Sequence, residues 1–275
     1  FALVKAFDAG KELLAVKEEL ASIVGLDNVK SAIYAIEDHV NVQRLRSSKG
    51  LKTSPLSMHM IFTGNPGTGK TTIARCCARY LKALGVLKGG QLVEVTRADL
   101  VGKYVGHTAP LTREVIQSAL GGVLFIDEAY ALVRGKEDSF GHEAIDTLVK
   151  EMEDHRDHLV VILAGYTKEM NDFLQANSGL KSRFPNILEF SDYSGEELCA
   201  IACAIAKGKG YCIDEEACAV LTQRFTDAQA QLGRDAGNGR LARNSVEAAI
   251  LKQSKRVLND ETASLDRKST RLNSS

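Results

Sequence analysis

The chain has 275 residues, 44% of them hydrophobic and 25% charged, with 35 basic side chains balancing 35 acidic ones. That length allows one large α/β domain with a smaller companion, and the balanced charge leaves no basic footprint of the kind that nucleic acid or an acidic membrane surface recruits, so neither is expected as a partner. No apolar run approaches the roughly eighteen residues of a membrane span, and no basic-flanked apolar leader is present.

Along the chain, Val29, Ile33, Ile36 and Val40 step by four, three and four, which predicts an amphipathic helix ending near Lys49 and Gly50. After a polar linker with Pro55, the residues from Met58 to Thr63 read as a buried strand entering a glycine-rich turn, and Thr71 to Leu84 as a helix stopped by Gly85. The alternation continues with a strand at 91–95, a helix at 111–120, an apolar strand at 122–127 ending in acid, a helix from Gly141, and strands at 159–164 and 187–190. Strands alternating with helices predict a parallel sheet. Beyond Phe190 the strand signals stop: Ser194 and Glu197 form a capping box, Asp214 caps a second helix, and a last helix follows the glycine-broken stretch 233–239 and fades after Val257.

The expected organisation is an N-terminal helical segment at 1–55, a P-loop α/β domain with a five-stranded parallel sheet at 56–190, an all-helical lid at 191–260, and a tail at 261–275 that is disordered or non-native, because 264–275 is polar and aperiodic. The six cysteines (Cys76, Cys77, Cys199, Cys203, Cys212, Cys218) show no paired CxxC spacing with histidines and are expected to be reduced thiols in the core; Cys199 and Cys203, one helical turn apart, are the sharper metal alternative but lack nearby histidines. The histidines, including His107 and His142, show no metal-like pairing. The expected location is the cytoplasm, or the plastid stroma if a transit peptide precedes Phe1.

Chemistry concentrates in two segments. Gly64-Asn65-Pro66-Gly67-Thr68-Gly69-Lys70-Thr71 matches the Walker A pattern and lies where that pattern must lie, between an apolar strand and a helix start. Its glycines let backbone N–H groups wrap the phosphates of ATP, Lys70 presents a point charge to the β- and γ-phosphates, and the Thr71 hydroxyl suits Mg²⁺; the nucleotide-contacting set is Asn65, Pro66, Gly67, Thr68, Gly69, Lys70, Thr71 and Thr72. Val123 to Glu128 carries two acids to the carboxyl edge of the sheet. There Asp127 is expected to hold Mg²⁺ through water and Glu128 to polarise the attacking water, although paired acids at a strand end also cap helices.

With both motifs in place the chain resembles the AAA+ superfamily from about Leu20 to Leu258. The stretches Gly64 to Lys70, Tyr104 to Ala109, Gly121 to Tyr130 and Leu163 to Tyr166 resemble the family containing red-type Rubisco activases and stage V sporulation protein K. The resemblance implies a homo-oligomeric hexameric ring acting on a protein client through a pore loop at Tyr104, Val105 and Gly106, where residue pattern alone would read Tyr104 as a loop anchor. It also implies that Arg183, otherwise a surface ion-pair partner, is an arginine finger reaching the neighbouring subunit's γ-phosphate. Arg240 or Arg243 stands at the sensor-2 helix start. Val24 and Gly25, in the tetrad from Ile23 to Leu26, lie where the family places adenine, or else serve packing. Tyr166 and Thr167 occupy the place of the usual polar sensor. Lys49 to Thr53 and Gly179 to Phe184 look more like the sporulation-type branch, and His107 to Pro110 more like the activases. The expected function is therefore ATP-driven remodelling of a protein, with Rubisco activation and a nucleotide-gated scaffold of little turnover as alternatives.

Overall fold

The computed structural model describes residues 8–53, 57–135, 137–259 and 271–272. Two units are resolved in it: Phe1–Gly64 with Lys70–Phe190, and Asn65–Gly69 with Ser191–Ser275.

The first unit runs α1 (Ala9–Ser22), α2 (Asp27–Ser48), β1 (Met60–Gly64), α3 (Lys70–Ala83), β2 (Leu92–Val95), α4 (Arg97–Leu100), α5 (Thr108–Ala119), β3 (Val123–Ile126), α6 (Ser139–Asp154), β4 (Val160–Gly165), α7 (Thr167–Ala176), α8 (Ser178–Lys181) and β5 (Asn186–Phe190). Its five strands pair in the order β2-β3-β4-β1-β5, every pair parallel, with Met60 level with Ile162 and Asn186 and Val123 level with Val160. Every residue of β1, β3 and β4 is buried, which is why these segments read as unbroken apolar runs: a parallel strand covered by helices on both faces has no solvent side to alternate with. One core cluster gathers Leu124 and Ile126 of β3, Val161 and Leu163 of β4, Ile145 and Leu148 of α6 and Met170 of α7.

Helix α1 falls inside the expected N-terminal helical segment but carries no period of its own, and α4, α7 and α8 were not anticipated. Helix α1 buries only Val16 and Leu20, too few positions to show a period; it is started by Asp8, which accepts from the N–H groups of Gly10 and Lys11, and joined to α3 by the Arg79–Glu12 ion pair (2.7 Å). Helices α4 and α8 are single turns, and α7 is short and buries Met170, Phe173 and Leu174.

The second unit contains α9 (Gly195–Gly208), β6 (Cys212–Ile213), α10 (Glu215–Leu232), α11 (Gly239–Asn259) and β7 (Arg271–Leu272). The Ser194–Glu197 capping box and the Asp214 cap, which accepts from Ala217 N at 2.7 Å, form as their sequence pattern predicts. The unit is not purely helical, since β6 and β7 pair in parallel. Of the stretch 261–275 only residues 271–272 are described; the expectation of a disordered or non-native tail otherwise lies outside the described residues. The cysteines also depart from expectation: Cys76, Cys77 and Cys199 are buried, but Cys203 and Cys218 are half-buried and Cys212 is exposed in the two-residue β6. Among the described residues no helix is long and apolar enough to cross a membrane.

A buried histidine immediately precedes β1. His59, 5% exposed, accepts a hydrogen bond at Nδ1 from Val161 N (3.0 Å) and tilts against the Phe184 ring. Burial pushes its pKa down to about 4 from 6.5, so it stays neutral in the folded chain. Between these two values the unfolded chain binds more protons than the folded one, and stability must fall as the pH falls across that window. His59→Asn, whose Oδ1 can accept from Val161 N, is expected to lose less stability between about pH 6.5 and about pH 4 than the parent chain; equal slopes in urea unfolding would contradict this.

Candidate functional site

Because all five strands are parallel, their carboxyl ends share one edge of the sheet, and Lys70, Asp127 and Glu128 follow strand ends there. Strand β1 ends at Gly64, with φ +146; a Cβ there would lie 2.3 Å from the Phe190 carbonyl, so only glycine lets β1 finish beside β5. Lys70 opens α3 and donates from Nζ to Gly64 O (2.8 Å), with half-buried Thr71 and exposed Thr72 following. Val24 and Gly25 precede α2, whose Asn28 donates to Glu189 O near the carboxyl end of β5 (2.8 Å), so they lie toward this same edge.

Asp127 leaves β3 with its N–H on Val95 O (3.0 Å) and accepts Glu128 N–H at Oδ1 (3.0 Å). Glu128 is left-handed at φ 48 and ψ 45, a conformation that costs a non-glycine residue about 1–3 kcal/mol. It is held by Ala131 N–H on its carbonyl (2.7 Å) and by the 3-10 turn Ala129–Leu132, whose Ala129 and Leu132 are buried. The strain leaves the Glu128 side chain exposed at the strand end. Two residues on, the Tyr130 ring stacks on Tyr166, which caps α7 just after β4 (centroids 5.7 Å). Burial, and next the Glu128 charge, push the Tyr130 phenol upward, keeping it protonated.

The loop Asn65–Gly69 belongs to the second unit, where its carbonyls are engaged one after another. Pro66 O accepts from Asn238 Nδ2 (3.3 Å), Gly67 O from Gly239 N (3.0 Å) and Thr68 O from the Tyr193 hydroxyl (3.1 Å), while Asn65 Nδ2 donates to both Asp192 carboxylate oxygens (3.0 and 2.8 Å). A trans peptide points its C=O and N–H in opposite directions, and there is no cis bond among the described residues. Fixing these three carbonyls therefore turns the N–H groups of Gly67, Thr68 and Gly69 the other way, into the concave donor array that anions favour. The centre of the clamp is Asn238, fully buried at φ 48. Its amide donates to Pro66 O and to Asp192 Oδ1 (2.8 Å) and accepts from Tyr193 N (3.0 Å) and Gln229 Nε2 (3.0 Å), which uses all four of its hydrogen-bonding positions. Sequence reasoning placed Asn238 within the helix-start motif and gave it no role; its position between two glycines was the available signal. Gly67 is equally constrained: at φ +77, a Cβ would fall 2.1 Å from Gly237 O. Arg240 and Arg243 follow in the first turn of α11, both exposed.

The remaining expected residues of the first unit are Tyr104, Val105, Gly106 and Arg183. Tyr104, 68% exposed, and Val105, 87% exposed, project from the turn between α4 and α5, with Gly106 at φ +79 and the His107 ring edge-on to Tyr104. Arg183 comes just before β5 and so sits at the amino edge of the sheet. There its carbonyl accepts from Ser57 Oγ (3.1 Å), Nη1 donates to Gly179 O (2.9 Å), and its buried Nε has no hydrogen-bond partner among the described residues. Its guanidinium borders a hollow of about 220 Å³ lined also by His59, Arg156 and Ser182.

A glycine loop between a buried strand and a helix, with an acid pair ending a nearby parallel strand, defines the P-loop nucleotide-hydrolysing class. The family "ATPase family associated with various cellular activities (AAA)" matches residues 60–192 and the AAA lid domain matches 194–274. The chain is 44% identical over 248 residues to stage V sporulation protein K of Bacillus subtilis (strain 168), covering 88% of this chain and 76% of that one. It is also 44% identical to Protein CbbX of Cereibacter sphaeroides over 258 residues, covering 91% and 81%. A crystal structure of the FIGL-1 AAA domain in complex with ADP has the same fold, with a TM-score of 0.62 at 20% identity over 98% of this chain and 88% of that one. The chain therefore belongs to the AAA ATPases, in the family of stage V sporulation protein K and CbbX.

The clamp gives a direct test. Asn238→Ala removes four hydrogen bonds from a buried site and with them the polar side chain that lets Asn tolerate positive φ, so it should cost roughly 2–4 kcal/mol in urea unfolding, whereas the exposed Arg240→Ala should change stability by less than about 0.5 kcal/mol. Equal stability of the two variants would show that the clamp does not hold the loop.

Proposed function

We propose that the chain is a Mg²⁺-dependent ATP hydrolase that works as a hexameric ring and uses each turnover to move a pore loop against a protein client. The observation that carries this reading is the separation of Arg183 from Glu128. One lies at the amino edge of the first unit's sheet and the other at the carboxyl edge, with a strand's length between the two edges, roughly 14–17 Å for the four residues of β3 or the five of β5. An arginine so placed cannot serve its own chain's γ-phosphate, yet it is positioned to serve that of a neighbour. The family is generally oligomeric and acts on protein substrates, which supports the same reading.

In this mechanism the N–H groups of Gly67, Thr68 and Gly69 and the Lys70 ammonium hold the phosphates, with Asn65, Pro66 and Thr72 completing the loop's walls. Val24 and Gly25 lie against adenine, and Arg240 or Arg243 senses the bound nucleotide. Lys70 exchanges Gly64 O for phosphate oxygen. Glu128, exposed and aimed by its left-handed backbone, accepts a proton from the attacking water and orients it toward the γ-phosphorus. The Thr71 hydroxyl and Asp127 carboxylate are hard oxygen donors that fit Mg²⁺, which when bound supplies charge neutralisation at the β- and γ-phosphates. A neighbouring Arg183 stabilises the charge spreading over the transferred group.

The exposed Tyr104–Val105 pair is the proposed grip. Two adjacent apolar side chains in water are costly unless something covers them, and a threaded polypeptide would do so. For the client we favour the sporulation-type branch on Lys49 to Thr53 and Gly179 to Phe184, although identity is 44% to both named relatives and does not separate them. Acceleration of turnover by ribulose bisphosphate would move the assignment to Rubisco activation.

Glu128→Gln should still bind ATP but lose at least about 100-fold in steady-state hydrolysis, the contribution typical of a positioned base. A parent chain that assembles with ATP but shows no turnover to lose would favour the scaffold alternative.

A further inference from the structure

Four of the six cysteines fall between residues 199 and 218, and three of them converge. Cys199 and Cys203 lie one turn apart on α9, and Cys218 is in the first turn of α10, which packs against α9. Their Sγ atoms all lie within 4.8 Å of one another, the only such group among the described residues, and Cys203 Sγ is 3.5 Å from Cys218 Sγ. That separation is far longer than the roughly 2.05 Å of a disulfide bond. It is close to the roughly 3.8 Å that two sulfurs keep when each is 2.3 Å from a tetrahedral zinc ion. Cys199 is buried, whereas Cys203 and Cys218 are half-buried, so the group has a closed floor and a path to solvent. If these residues served only as small apolar filling, nothing would require three thiols from two helices to meet.

We propose that Cys199, Cys203 and Cys218 form a binding site for a thiophilic cation of the zinc class, which staples α9 to α10 in the second unit. Binding Zn²⁺ by three thiols forms three Zn–S bonds, breaks three S–H bonds and releases three protons, leaving a site with net charge −1. Water fills the fourth position. Without the ion the thiols stay protonated: burial first, then the neighbouring sulfurs, push Cys218 up to about 12, and Cys203 is raised by burial as well. The ion's charge reverses that preference. The site is chemically distinct from the Thr71 and Asp127 oxygen donors, which suit a hard cation.

The test uses the whole chain, fully reduced and stripped of metal, titrated with Co²⁺ in excess Mg²⁺. Sulfur-to-cobalt charge-transfer absorption should appear, saturate at one Co²⁺ per chain and be bleached by one equivalent of Zn²⁺. It should vanish in Cys203→Ser and in Cys218→Ser and persist in Cys76→Ser. No charge-transfer band, or a band that survives in the Cys203→Ser/Cys218→Ser double variant, overturns the proposal. A second measurement needs no variant: Zn²⁺ should protect Cys203 and Cys218 of the parent chain from iodoacetamide, read by mass spectrometry, and unchanged labelling of both would equally refute the site.

Discussion

Every strand of a parallel sheet begins at one edge and ends at the other, and this constraint orders the chemistry of the first unit. Gly64, Lys70, Asp127 and Glu128 follow the ends of β1 and β3, so they gather at the carboxyl edge. Arg183 precedes β5 and is held at the amino edge by Ser57. The sheet of a single chain thus keeps the acid pair and Arg183 at opposite edges. The arrangement makes sense if subunits stand side by side, each lending its arginine to the next, so that turnover depends on assembly.

The local chemistry depends on backbone geometry that side-chain types alone do not set. The phosphate loop is shaped from outside, by donors that take up its carbonyls and thereby turn its N–H groups inward. Asn238 does most of this, and its own left-handed backbone is part of the same device. Glu128 is likewise placed by strain, which the buried Ala129 and Leu132 hold in check. Both devices store free energy at the site and are anchored by well-packed neighbours.

Much of this was legible in the sequence, for physical reasons. Strands β1, β3 and β4 are buried on both faces, so their apolar runs are unambiguous, and Gly64 and Gly67 stand where a Cβ would strike the backbone of Phe190 and Gly237. The capping residues Ser194 and Asp214 act on N–H groups three residues away, which a local reading captures. What escaped depends on distant partners. Asn238 meets Pro66 across 172 positions, and Cys218 meets Cys203 only because two helices pack. Helix α1 has two buried residues and hence almost no period. The pairing of β6 with β7 joins two-residue segments that carry no pattern. Arg183 was assigned by resemblance alone, and the sheet adds only that it precedes β5, at the edge opposite the one where Glu128 lies.

The most direct test of catalysis across a subunit boundary is ATP hydrolysis in mixtures of two variants, Arg183→Ala, which keeps its own phosphate loop, and Lys70→Ala, which keeps its arginine. Each alone should be inactive. Mixed, they should recover turnover that peaks at an intermediate ratio, because some interfaces then pair an intact loop with an intact arginine. Absence of recovery at every ratio, with both variants shown to co-assemble, would contradict an arginine acting in trans.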